Sequence, residues 1–258
     1  MSFETAKICI DNLLANKYEN ISIENTFGII FDFIGGEPLL EINLIEQICD
    51  YFLNLLIDLR HPWLYFFKIN ICSNGLLYDT PEVQNFFKKY GKFTSFSISV
   101  DGNKELHDAC RIDLNGNGTY DKIIAAVHSH KKNFGYIPLT KMTIAPENVN
   151  YIYDAVLNLI QEGYQEIPFN CVFENVWSDK KDATILYQQL KKLGNYLIDN
   201  QLYNKIWIRM FNENSYCPKL DDDANWCGGT DYFHCVSLDY CGNFYPCIRY
   251  MASSLGNK

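Results

Sequence analysis

The sequence predicts an α/β fold, a parallel sheet with helices outside it, either doubly wound or rolled into a barrel. Three observations predict it. Five strand-then-helix patterns follow one another between Phe27 and Asp199. The first three strand patterns stop at a glycine turn, namely Gly35-Gly36, Asn74-Gly75 and Asp101-Gly102. Each connection is long enough to return the chain as a crossover helix, which is what parallel neighbours require.

The elements follow in order. Residues 2–16 read as a helix, with Ser2 as N-cap and Ala6, Cys9, Ile10, Leu13 and Leu14 on one apolar face. The run Phe27-Gly28-Ile29-Ile30-Phe31-Asp32-Phe33-Ile34 is nearly continuous in apolar side chains, as a strand buried on both faces would be. No strand precedes it, because the chain opens on a helix. A helix over residues 42–59 and a strand over 66–73 come next. Thr80-Pro81-Glu82 opens another helix, with proline in its first turn. A strand over 93–100, a helix over 119–134, a strand over 140–144 and a helix over 149–161 continue the series, Gly163 standing where a C-cap glycine belongs. A strand over 167–173 and a helix over 182–199 close it. Beyond residue 204 the texture changes. Trp207, Phe211, Tyr216, Trp226, Tyr232 and Phe233 interleave with Asp, Asn, Gly and Cys without a helical period, predicting short strands and turns held by cysteines. The boundary falls within 200–206.

Composition excludes several classes. The chain of 258 residues is 48% apolar and 21% charged, so it can bury a core. Its 22 Lys and Arg against 31 Asp and Glu leave a net charge of −9 with no basic run, which argues against a nucleic-acid groove. No apolar stretch approaches the roughly 18 residues that span a bilayer, and Met1–Lys7 is not a secretory signal. No membrane partner and a cytoplasmic location are the expectation. Ten cysteines then suggest metal ligation or plain burial rather than disulfides.

Parallel strands present reactive groups at their C-terminal ends. Here those ends read Gly35-Gly36-Glu37-Pro38, Ser73-Asn74-Gly75, Ser99-Val100-Asp101-Gly102, residues 143–147, and Phe173-Glu174-Asn175. Gly35 and Gly36 let a ligand approach the backbone, their carbonyls can accept from an ammonium, and Glu37 adds negative charge. The same letters also spell an ordinary strand-to-helix turn with proline early in the helix. Ser99 and Arg111, twelve residues apart, can jointly clamp a carboxylate; the plainer reading is an Asp-Gly turn, a helix cap and a surface arginine. His128 and His130 lie two apart on a predicted helix and read as solvent-facing. His61 precedes Pro62 in a loop, and no Ser-His-Asp or Cys-His arrangement can be assigned. Cys217, Cys227, Cys235, Cys241 and Cys247 cluster within 31 residues. Cys227 and Cys247 bracket an aromatic hairpin with Gly242 at its turn, a pattern open to an iron–sulfur cluster, to zinc or to buried thiols.

Taken in order, these strand ends resemble the radical S-adenosylmethionine enzymes that carry a C-terminal SPASM-type domain. The residues that carry the resemblance are the Gly35–Pro38 turn, Ser-Ile-Ser-Val-Asp-Gly with His107-Asp108 and Arg111, Asn117-Gly118-Thr119-Tyr120-Asp121-Lys122, and the Cys227, Gly242, Cys247 spacing. The resemblance implies a partial (β/α)6 TIM-like barrel over 1–203 and the N-terminal part of a SPASM-type auxiliary-cluster domain over 204–258. In that family a [4Fe–4S] cluster reduces S-adenosylmethionine to a 5′-deoxyadenosyl radical, which abstracts a substrate hydrogen. By resemblance, Gly35, Gly36, Glu37 and Pro38 hold the methionine ammonium, Ser99 and Arg111 hold its carboxylate or the ribose, and Val172 touches the adenine. Cys227 and Cys247 would ligate an auxiliary cluster, with Cys217, Cys235 and Cys241 as additional ligands. A flavodoxin or ferredoxin is the implied electron donor.

Two departures qualify the expectation. The family's C-x3-C-x2-C cluster triplet is absent, so the barrel is expected to lack its first strand and cluster loop. The chain then reads as a fragment of an enzyme, inactive in cleaving S-adenosylmethionine by itself. Sulfatase-maturating relatives carry Asp after the cysteine matching Cys247, whereas here Ile248 follows. The Asn225–Thr230 and Tyr245–Met251 segments look like maturases of ribosomally made, cysteine-rich peptides that form thioether crosslinks. A precursor peptide is therefore the expected substrate. A non-catalytic peptide-binding barrel that has lost its cluster, or a zinc-stabilised α/β protein, are the competing readings.

Overall fold

A computed structural model describes residues 1–15, 28–172, 175–212, 236–245 and 248–251. Its helices form where the apolar period predicts them. Helix α1 (Phe3–Leu14) starts at Ser2, whose Oγ accepts the Thr5 N–H at 3.1 Å. Helix α2 (Ile42–Asp58) buries Ile45, Ile48, Cys49, Phe52 and Leu56, the stripe that spacings of three and four produce. Pro81 opens α3 (Pro81–Tyr90). A short α4 (Lys104–Cys110), not foreseen as a helix of its own, is capped by Asn103, which accepts the Leu106 N–H at 3.1 Å. Helix α5 (Tyr120–Phe134) ends at Gly135, which adopts the left-handed φ of 81°. Helices α6 (Ile152–Gln161) and α7 (Asp179–Asp199) complete the set.

The strands are shorter than their apolar runs. A four-stranded sheet has the order β1 (Ile29–Phe33), β2 (Phe67–Ser73), β3 (Thr94–Ile98), β4 (Leu139–Thr140), with β3 and β4 parallel. Lys141 separates β4 from β5 (Met142–Ile144), so one expected strand pairs first with β3 and then, in parallel, with β7 (Phe169–Cys171). Pro168 splits β7 from β6 (Glu166–Ile167), because proline has no N–H to give a ladder. Strand β6 pairs in parallel with β8 (Trp207–Ile208), and the Trp207 N–H donates to Gln165 O at 2.7 Å. Parallel pairing therefore continues past residue 203, the end of the segment assigned to the barrel from sequence. The first strand is corrected in one respect. Ile30 is 64% exposed and Asp32 is exposed, so β1 alternates rather than lying buried on both faces. It is the outermost strand of its sheet, where one face can stay solvated.

The chain divides into two compact units, one of Met1–Phe31, Glu41–Ile69 and Pro218–Lys258, the other of Asp32–Leu40 and Asn70–Cys217. In the first, Phe31, Phe52 and Phe67 form a ring cluster with centroids 4.5–5.4 Å apart, and Phe3 meets Tyr51 edge-on at 5.9 Å. The antiparallel hairpin β9 (Ser237–Leu238) and β10 (Phe244–Tyr245) turns at Gly242, where an added Cβ would lie 3.0 Å from Thr5 Cγ2. In the second, Tyr78, Phe87, Phe96 and Phe134 surround His130. That overturns the expectation for His130. It is 1% exposed, burial lowers its pKa to about 4, and only His128 faces solvent. Two positions along a helix turn the ring by about 200°, so the pair point to opposite sides. Among the described residues no helix is long and apolar enough to cross a membrane.

Candidate functional site

The site is built in the second unit, where the ends of β1, β2 and β3 meet. The Ser99 N–H donates to Ser73 O at 2.9 Å and carries the ladder one step past β3. The turn after β1 is tied to the end of β2 by one carboxylate. Glu37 Oε1 accepts from Ser73 Oγ at 2.7 Å and from the Leu39 N–H at 3.0 Å, and Oε2 accepts from the Asn74 N–H at 2.7 Å. Ser73 Oγ in turn accepts from the Gly75 N–H at 2.8 Å. Three donors thus converge on its two oxygens. Pro38 is buried at the start of the short 3-10 helix Pro38–Glu41.

Glu37 thus braces Gly35 and Gly36, both exposed, against the sheet. A Cβ added at Gly36 would meet nothing within 4 Å, and its φ lies outside the left-handed range. Neither packing nor backbone geometry inside the chain requires glycine there. Gly102 is the opposite case: its φ is 107° and an added Cβ would lie 2.4 Å from the Ala155 Cβ. Among the described residues the space over Gly36 is open.

The second part of the site follows β3. Arg111 Nε donates to Asp101 Oδ2, and Nη2 lies 3.4 Å from Oδ1, which also accepts the Thr143 N–H at 3.0 Å. Asp101 is buried, while the Arg111 side chain keeps 29% exposure. Behind the pair sits His107, fully buried. Thr119 Oγ1 spends its proton on Arg111 O at 3.1 Å, so His107 Nε2 is the donor in its 3.0 Å contact with Thr119. His107 Nδ1 is left to accept the Asp101 N–H at 3.3 Å. Burial lowers the His107 pKa, consistent with this neutral tautomer. Arg111 is therefore not the free surface arginine of the plainer reading. Its guanidinium is oriented by Asp101, and the residue lines a cleft of about 250 Å3 together with Asn74, Leu76 and Thr119.

Ser99 is half-buried, and its hydroxyl has no hydrogen-bond partner among the described residues. Val172 lies just past β7, its N–H donating to Ile144 O at 2.8 Å and its carbonyl accepting from Trp177 Nε1 at 2.9 Å. Its backbone N–H and C=O thus each have a partner. Of the candidate cluster cysteines, Cys217, Cys227, Cys235 and Cys247 lie outside the described residues. Cys241 is exposed in the hairpin turn, its N–H held by Asp239 at 2.8 Å. Among the described residues no three His, Cys, Asp or Glu side chains gather to hold a metal. Sequence reasoning missed the pairing of Asp101 with Arg111 and the bracing partners of Glu37. The separation of ten between Asp101 and Arg111 was its only signal, and an unforeseen helix α4 hid it.

No family model matches the chain. Two native structures of anSMEcpe, one with bound AdoMet and one with bound AdoMet and the Cp18Cys peptide, superpose on it with TM-scores of 0.60 and 0.62 at 19% and 20% identity. The superpositions cover 80% and 82% of this chain and 54% and 56% of those. The chain therefore shares the α/β fold of anSMEcpe over about 80% of its length. In sequence it is 28% identical over 207 residues to the dual-specificity RNA methyltransferase RlmN of Vesicomyosocius okutanii subsp. Calyptogena okutanii, over 72% of this chain and 53% of that protein. It is 25% identical over 244 residues to the uncharacterized protein MJ0907 of Methanocaldococcus jannaschii, over 86% of this chain and 76% of the relative. The chain spans about half the length of RlmN and of anSMEcpe.

Proposed function

We propose that this chain is the S-adenosylmethionine-binding part of a radical enzyme that modifies a ribosomally made peptide. One observation carries the reading: among the described residues nothing lies within 4 Å of a Cβ added at Gly36, and Glu37 ties this open turn to Ser73, whose carbonyl accepts the Ser99 N–H. Carbonyls of Gly35 and Gly36 would accept from the methionine ammonium, with the Glu37 charge behind them. Arg111 and Ser99 would take the carboxylate or ribose, and the Val172 side chain would meet the adenine. Bound S-adenosylmethionine supplies the sulfonium bond whose reductive cleavage yields a carbon radical able to abstract hydrogen. The C-x3-C-x2-C triplet that would ligate a catalytic cluster is not within these 258 residues, and among the described residues no group of three His, Cys, Asp or Glu replaces it.

The peptide substrate and thioether chemistry rest on the cysteine-rich segments around Cys227 and Cys247, supported by peptide-bound anSMEcpe. An auxiliary cluster on Cys227 and Cys247, with Cys217, Cys235 or Cys241, and a flavodoxin or ferredoxin as electron donor belong to the same proposal. Isothermal titration of the purified chain with S-adenosylmethionine tests the core of it. Binding is expected, and Gly36→Val and Arg111→Met should each weaken it at least tenfold, about 1.4 kcal/mol, while leaving the fold intact by circular dichroism. No binding, or binding that both variants preserve, overturns the reading.

A further inference from the structure

A second cavity lies at the opposite end of β3, within the same compact unit. It measures about 710 Å3 and opens where α3 ends, where the 3-10 turn Gly91–Phe93 enters β3, and where α5 ends. Strand β3 runs from Thr94, which lines the cavity, to Ile98, so roughly 16 Å of chain separate it from Ser99. A volume of this order takes a small organic molecule.

Its floor is aromatic and fixed. Phe87 is buried and meets Phe134 with ring centroids 6.0 Å apart. Gly91 lets Phe134 lie across the end of α3, because an added Cβ there would stand 2.5 Å from Phe134 Cε1. Tyr136 adds a ring that is 48% exposed and so open to stacking. The neutral polar groups of the wall are engaged inside the chain. Asn133 Nδ2 donates to Gln84 Oε1 at 3.1 Å, Gln84 Nε2 to Tyr78 O at 2.7 Å, and Thr94 Oγ1 to Tyr90 O at 2.9 Å. Behind the floor, buried His130 stacks on Phe134 at 4.7 Å and meets Tyr136 edge-on at 5.1 Å. Its Nε2 is one of two buried side-chain polar atoms without a partner among the described residues. Such atoms are rare in a core, and this one lies beside the cavity.

The capacity that the wall leaves free is positive. Lys88 and Lys92 both line the cavity, and both are exposed. No Asp or Glu lines it, and the segments that supply its walls, 83–100 and 122–146, contain none. Neither lysine is ion-paired among the described residues; Lys88 Nζ reaches the Asn85 amide oxygen at 3.5 Å. Lysines in a last helical turn offset the negative end of the helix. Lys88 and Lys89 serve α3 in this way, and Lys131 and Lys132 serve α5. Lys92 stands beyond α3 and is surplus to that task. A chain of net charge −9 thus keeps this cavity free of carboxylates.

We infer that the cavity binds a small phosphate ester carrying a planar ring, with the phosphate on Lys88 and Lys92 and the ring against Phe134 and Tyr136. Two ammonium groups match the roughly −1.5 to −2 charge of a phosphate monoester, and lysine takes phosphate as a point charge. The site is separate from the strand ends discussed under Proposed function and does not rest on that reading.

Isothermal titration of the whole chain with adenosine 5′-monophosphate, adenosine and inorganic phosphate tests this. One-to-one binding of the monophosphate is expected, with adenosine and inorganic phosphate each at least tenfold weaker. Lys88→Gln and Lys92→Gln should each weaken the monophosphate at least threefold, and Tyr136→Ala should weaken both it and adenosine. All three positions are exposed, so circular dichroism should stay unchanged. Saturating S-adenosylmethionine should leave the monophosphate affinity as it was. No binding, binding indifferent to both lysine substitutions, or displacement by S-adenosylmethionine overturns the inference. Equal affinity for inorganic phosphate removes the ring from it, and tighter binding of a 5′-phosphorylated tetranucleotide reassigns the surface to nucleic acid; either result overturns it. S-adenosylmethionine binding in the same preparations stands or falls independently of these results.

Discussion

The Gly35–Pro38 turn and the Asp101–Arg111 loop stand at neighbouring strand ends and are built by opposite means. The first offers bare backbone and keeps its only charge, Glu37, behind it as a brace to Ser73 and Asn74. The second offers a charged side chain and keeps its counter-charge, Asp101, buried beneath it. Removing the brace leaves three donors without their acceptor, one on half-buried Asn74 and two on buried Ser73 and Leu39. Removing Asp101 strands a guanidinium and a backbone N–H against a buried surface. The lesson is that exposed binding backbone needs a brace behind it, whereas an exposed binding charge needs a buried counter-charge beneath it.

Three substitutions sharpen or break this contrast. Asp101→Ala should have the largest effect, roughly 3 kcal/mol or more in urea unfolding, because it leaves Arg111 and the Thr143 N–H unpaired. A loss below that of Glu37→Gln would break the comparison. Glu37→Gln keeps the shape but turns one acceptor oxygen into a donor facing Ser73, Leu39 or Asn74, and should cost about 1–2 kcal/mol. The smallest effect belongs to pH. His130 is held neutral by burial, with a pKa of about 4 against 6.5 in the unfolded chain. Between those values the unfolded chain binds a proton that the folded one refuses, so stability falls as pH drops below 6.5. From pH 7 to 6 His130 accounts for about 0.7 kcal/mol of that fall. His130→Phe should reduce the measured loss by this amount; a loss unchanged by the substitution removes His130 as its source. His107, also lowered by burial, adds to the fall with the same sign.

How much of this was legible beforehand differs from element to element. Helices α1, α2, α3 and α5 were readable because a buried stripe every three or four residues leaves a strong trace in one dimension. The glycine turns were readable because only a few residues tolerate such backbone. Strand β1 misled because Ile30 looks like core, and whether an apolar side chain is covered depends on the neighbour a strand has, which its own letters do not state. The split at Pro168 was visible as a letter but needed a partner strand on either side to have meaning. Ser99 and Arg111 were singled out for a carboxylate, yet the residue that orients the arginine was read as a turn.

Sequence alone determined the α/β class, the order of strands and helices, and the strand ends at which Gly35, Gly36, Glu37, Ser99 and Arg111 stand. These are local or periodic properties, written within a few residues of where they act. Tertiary structure decided that Glu37 braces β2, that Asp101 holds Arg111 with a neutral His107 behind it, and that His130 is buried among aromatic rings. Each of those depends on residues from six to more than fifty positions away in the chain. Only packing brings such groups within hydrogen-bonding reach, and only burial makes their charges and protons costly to move.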